Sequence, residues 1–81
     1  MAETNIIIPG INDHPEAIEE LCQLAQMDDP ATRIPAETRL LEILQLYAAY
    51  LDDATLTTIT YVKHQGIRKL AFELLNQRLQ S

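Results

Sequence analysis

The last third of this chain carries two rows of apolar side chains where a small helical protein needs one. From Leu56 onward, Ile59, Val62, Gly66, Leu70 and Leu74 keep a spacing of three or four, with Ile67 and Ala71 on the same side. That is the period of an α-helix with one face turned to a core. On a continuous helix Leu56, Ile59, Ile67, Leu70 and Leu74 make that face, and Tyr61, Phe72, Leu75 and Leu79 make a second, nearly opposite. A third helix in a three-helix monomer buries one stripe, so the second is expected to be an interface, the alternative being that a break at Gly66 lets a fourth short helix turn over and bury it internally. The run Leu56-Thr57-Thr58-Ile59-Thr60-Tyr61-Val62 is rich in strand formers, yet the helical phase passes through it without a reset. The spacing predicts one helix from about residue 54 to 79, or two divided at Gly66, because an interior glycine costs about 1 kcal/mol relative to alanine.

Two earlier helices are expected. Asp13-His14-Pro15-Glu16 reads as a helix start, with Asp13 as cap, Pro15 in the first turn and Glu16 three residues after the cap. That helix is predicted to run to about Met27, with Ile18, Leu21, Cys22, Leu24 and Ala25 inward, and to stop at Asp28-Asp29-Pro30. A linker to Ile34 follows. Pro35 then marks the first turn of a second helix ending near Leu51, with Leu40, Ile43, Leu44, Tyr47 and Leu51 as its main stripe. Leu41, Leu46, Ala48 and Tyr50 widen that stripe beyond half the circumference, which places the helix centrally. Asp52-Asp53 is the next cap. Residues 1–12 read as an irregular arm, with Ile6-Ile7-Ile8 ending at the turn signal Pro9-Gly10. The expected fold is all-α: a small bundle of three helices, or four if the chain breaks at Gly66, forming a single helical domain over residues 13–81.

The chain is small and acidic. Its 81 residues weigh 9.2 kDa, and a chain of that mass buries only about 63% of its unfolded surface. Oligomerisation is a common remedy for so small a core. The net charge of −6 is uneven. Residues 1–53 hold 11 acids and 2 bases, a net of −9, whereas residues 54–81 hold 1 acid and 4 bases, a net of +3. Such asymmetry is one sign of an electrostatically directed partner. A single cysteine, Cys22, makes no intramolecular disulfide and suits a reducing compartment. Asn5 to Pro9 is too short for a signal-peptide core, and no apolar run approaches a membrane span. A cytoplasmic protein without membrane contact is expected.

The sequence offers little chemistry. It has no Ser-His-Asp order, no glycine-rich phosphate loop and no zinc motif. His14 and His64 lie far apart, and the pairs Asp28-Asp29 and Asp52-Asp53 lack the spacing of a calcium loop; turn and cap roles explain them better. No catalytic residue, cofactor or metal is expected. Three isoleucines in a row do not alternate as the strand of a ribbon-helix-helix protein should.

The expected function is therefore a non-enzymatic interaction or regulatory module that docks helix on helix and self-associates, a homodimer being the simplest form. Tyr61, Phe72, Leu75 and Leu79 are its candidate anchors, with Lys63, Arg68 and Lys69 steering. The alternative is a DNA-binding regulator. A turn at Gly66 would open a recognition helix over residues 67–79 carrying Arg68, Lys69, Asn76 and Gln77, residue types suited to base edges. Gln65 stands where that motif expects an apolar residue, and the acidic remainder of the chain opposes approach to DNA.

Overall fold

The structure is a computed structural model and describes residues 5–7 and 15–80. It is an all-α bundle of four helices: α1 (Ile18–Leu24), α2 (Pro30–Leu46), α3 (Asp53–Ile59) and α4 (Gln65–Gln80), with a short 3₁₀ turn at Ala48–Tyr50. Helix α1 packs against α2 and α3, and α4 against α3 and α2. One core joins them, drawn from Ile18, Cys22 and Ala25, then Ala36, Leu40, Ile43 and Leu44, then Leu51, Leu56, Ile59 and Val62, and finally Ile67 and Ala71.

The N-terminal segment departs from the expected helix start. Pro15–Ala17 is a three-residue strand, β2, paired antiparallel with β1 (Asn5–Ile7), and α1 begins only at Ile18. Pro15 and Glu16 are therefore strand residues rather than a first helical turn. The paired strand supplies the backbone partner that a lone isoleucine run lacks. Asp13, His14, Ile8 and the Pro9-Gly10 turn lie outside the described residues.

Helix α2 starts earlier and ends earlier than the sequence pattern implies. Pro30 occupies the first turn and Asp29 the cap position, where the Thr32 hydroxyl donates to the Asp29 carboxylate at 3.0 Å. Proline is pre-organised for that place and its missing N–H is harmless there. Pro35 then falls inside the helix, not at its start. It removes one helical hydrogen bond, and it does so on the exposed side of α2, where Ala31, four residues earlier, and Pro35 itself are both exposed. At the far end the helix stops at Leu46, and Leu51 reaches the core from beyond the 3₁₀ turn. That turn leaves Leu46 and Tyr50, which widened the predicted stripe, 64% and 55% exposed.

The strand-favouring run is helical in its first part. Asp52 caps α3, its Oδ1 accepting from the Thr55 N–H at 2.8 Å. The Thr57 and Thr58 hydroxyls donate to the carbonyls of Asp53 and Ala54 one turn back, at 2.8 and 3.0 Å. Hydroxyls that bond back along the helix need no other partner, and no buried side-chain polar atom among the described residues is unsatisfied.

The chain then breaks, but not at Gly66. Helix α3 ends at Ile59, Thr60–His64 form the turn, and Gly66 is the second residue of α4. A continuous helix would hold Leu56 and Ala71 about 22 Å apart along its axis. Reversal brings both into one core, and Val62 in the turn is buried with them. His64 opens α4: its Nδ1 accepts from the Ile67 N–H at 3.2 Å, and its carbonyl accepts from the Arg68 N–H at 3.0 Å. Gly66 makes room for that ring, because a Cβ there would stand 3.0 Å from His64 Cε1 and 3.3 Å from Nδ1.

Two outcomes follow for stability. Replacing His64 by Ala should cost about 1 kcal/mol, the usual worth of a cap. Gly66→Ala should stabilise the His64→Ala background by up to about 1 kcal/mol through helix propensity, but bring no gain with the ring in place. A urea-denaturation cycle that finds the two changes additive would contradict this coupling. At α3, Thr55 holds the Asp52 carboxyl below the usual aspartate range, through its side chain first and its N–H second. A depressed pKa contributes stability that is complete above the unfolded value and is lost as pH falls through the folded one. Asp52→Ala should thus be less stable than the native chain at neutral pH, and their melting temperatures should converge as the pH falls below about 4.

Candidate docking surface

Helix α4 divides into an inner and an outer side. Ile67 and Ala71 are fully buried, while Leu70, Leu74 and Leu75 are partly buried against the core. Phe72 and Leu79 remain 53% and 82% exposed. Phe72, Leu75 and Leu79 are spaced three and four apart, so they run as one row along the helix, with Leu75 as its half-buried root.

Tyr61 does not belong to that row. It is 75% exposed, but it lies in the Thr60–His64 turn, so the continuous stripe expected from Tyr61 to Leu79 is interrupted. The same turn carries Lys63, and Arg68 and Lys69 follow on the first turns of α4; all three are exposed. Arg68 and Lys69 precede Phe72 by four and three residues and so border it on the helix surface. Glu73, Asn76 and Gln77 are also exposed.

Arg78, absent from the sequence-derived site, anchors the other end of α4. Its Nη1 donates to Asp53 Oδ1 at 2.8 Å, and its Nη2 donates to the Ala48 carbonyl at 2.9 Å and to the Leu51 carbonyl at 2.5 Å. One guanidinium thus caps the 3₁₀ turn and ties it to α3 and α4. A basic residue in the last turn of a helix is a visible signal, but the carbonyls it reaches come from 27 and 30 residues earlier. A shallow groove beside it, lined by Ala48, Ala49, Leu74, Gln77 and Arg78, presents a cation already engaged in these bonds.

The candidate reactive groups are otherwise occupied. Cys22 is buried; that burial, and then the charge of Glu19, push its thiol up to about 11, so it is a poor nucleophile at neutral pH. His64 Nδ1 is engaged in capping α4. Among the described residues no three His, Cys, Asp or Glu side chains gather as a metal site, and no helix is long and apolar enough to cross a membrane. Exposed apolar side chains also stand at Met27, Ile34, Leu46 and Tyr50, but on α4 they run as a row beside a basic cluster. No family model, curated protein or solved structure matches this chain.

Arg78→Ala would leave the Leu51 carbonyl without its donor, while the Ala48 carbonyl keeps the Leu51 N–H and the exposed Asp53 carboxylate is solvated, and it should destabilise the fold by about 1–3 kcal/mol. Arg78→Lys should recover only part of the loss, since an ammonium lacks the planar fork. Equal stability of the alanine and native proteins in urea would remove this clamp from the account.

Proposed function

We propose that the chain is a non-enzymatic protein-interaction or regulatory module that docks helix on helix through the outer side of α4. The observation that carries this reading is the row Phe72–Leu75–Leu79, apolar and open on a helix whose opposite side already fills the core. A fully buried side chain of this size is worth about 1.5–3 kcal/mol. Two such anchors and a half-buried leucine support a weak to moderate association after its entropic cost. A second copy is the simplest occupant, as twofold dimers are the commonest assemblies; a helix of another protein is the other. A cytoplasmic setting suits the single buried thiol.

The experiment uses Phe72→Ala together with Leu79→Ala. Both side chains are more than half exposed, so their loss should move stability by no more than about 0.5 kcal/mol. Leu75 is left intact because it also packs on the core. Light scattering against concentration reads self-association, and exposed-surface labelling of α4 reads occupation by a partner. The docking reading requires the double variant to weaken association with its circular dichroism unchanged; a folded variant that associates as before defeats it.

DNA binding is retained as a second reading on one observation. Helices α3 and α4 are joined by a short turn, and the exposed Lys63, Arg68 and Lys69 sit at the start of the second helix, the end from which helix-turn-helix proteins reach bases. Its turn is Thr60–His64 rather than Gly66. Binding to duplex DNA that weakens steeply with added salt would favour it.

A further inference from the structure

Three cations on this surface make no ion pair with any described residue, although Glu73 stands one turn after Lys69 on α4. Lys63, Arg68 and Lys69 are exposed, and among the described residues none of them makes a hydrogen bond or ion pair through its side chain. The remaining arginines are all engaged. Arg33 pairs with Glu37 and donates to the Asp28 carbonyl, Arg39 pairs with Glu42, and Arg78 pairs with Asp53. Helix α4 has no acid in its first turn, the end where the dipole favours one. Arg68 and Lys69 instead add to the positive end of the helix, itself equivalent to about half a unit charge. Internal contacts thus leave a positive region, and it continues directly into the apolar row.

The charge discriminates among occupants. A twofold contact sets a patch against itself, so two copies paired over the start of α4 would bring together two sets of Lys63, Arg68 and Lys69 with one Glu73 from each. Like charges brought face to face oppose docking. A nucleic acid would match the cations but would leave Phe72 and Leu79 unused, and the net charge of −6 opposes its approach. A helix with one apolar side flanked by carboxylates satisfies both halves of the surface. We propose that the occupant of the α4 face is an acidic amphipathic helix of another protein, its apolar side on Phe72, Leu75 and Leu79 and its carboxylates against Lys63, Arg68 and Lys69. This rests on the docking reading above and adds the chemistry of the partner.

The test is a selection on the full chain from a displayed pool of helical peptides about 16 residues long. Each has a fixed leucine row and either Glu, Gln or Lys at every outer position. Glu should be enriched over Lys by about tenfold among captured peptides, as charge matching sets partner choice. The set Lys63→Gln, Arg68→Gln and Lys69→Gln should flatten that preference with circular dichroism unchanged, and Phe72→Ala with Leu79→Ala should lower capture of every peptide. If Gln or Lys peptides are captured as well as Glu peptides, while capture still needs Phe72 and Leu79, the acidic partner is wrong and the docking surface stands. If no peptide is captured and the apolar variant also leaves self-association unchanged, both readings fall. A salt-resistant dimer that excludes all peptides, or duplex DNA that displaces captured ones, overturns the proposal in favour of a second copy or a nucleic acid.

Discussion

Leu56 and Ile59 share a core with Ile67 and Ala71 because the chain reverses between Thr60 and His64. The rest of the bundle depends on that reversal. Without it the apolar residues of the last third would line one long helix and cover only part of α1 and α2. With it α3 and α4 pack on each other, α3 reaches α1, and α4 reaches α2. The turn is held from both sides. Thr60 closes α3 through its N–H to Leu56 and Thr57, Val62 is buried beneath, and His64 opens α4 with its ring over Gly66. The glycine serves the cap rather than the bend.

The second constraint is the link from α2 to α3. Helix α2 ends at Leu46, closed by the Tyr47 N–H donating to the Ile43 carbonyl at 2.8 Å, a 3₁₀ turn follows, and Leu51 returns to the core. Such a connection leaves carbonyls without helical partners; the Arg78 guanidinium donates to that of Leu51 and, beside the Leu51 N–H, to that of Ala48, while pairing with Asp53. The same contact orients the C-terminal part of α4. The helix is therefore positioned at its start by a cap and near its end by a clamp, and its outer row of Phe72, Leu75 and Leu79 is presented on a supported element.

Much of the candidate surface was legible from spacing. The repeat Phe72, Leu75, Leu79 was visible as a row beside the one containing Ile67 and Leu74, and the charge split identified Lys63, Arg68 and Lys69 as a basic cluster. Spacing places Tyr61 in the same row because the helical phase on the two sides of Thr60–His64 agrees; phase agreement across a turn does not report the turn. The role of Arg78 has no sequence signature, since its partners are distant in sequence and two of them are backbone carbonyls. Arg33 and Arg39 pair with acids four and three residues on, spacings that the sequence displays, whereas the engagement of Arg78 depends on tertiary geometry.

By itself the sequence determined the all-α class, most of the buried positions of the described helices, the cap at Asp52 and the charge asymmetry. All of these depend on local periodicity or on composition. Tertiary structure decided where helices begin and end. Pro35 is a poor interior residue on local grounds, yet it lies within α2, whose Ala36, Leu40, Ile43 and Leu44 are buried in the core. Pro15 and Glu16 suit a helix start, yet they pair with β1. The strand-favouring threonines are drawn into α3 by the burial of Leu56 and Ile59. In each case a local preference of a few kcal/mol or less is outweighed by apolar burial shared among several elements, and that sum exists only once the chain has folded back on itself.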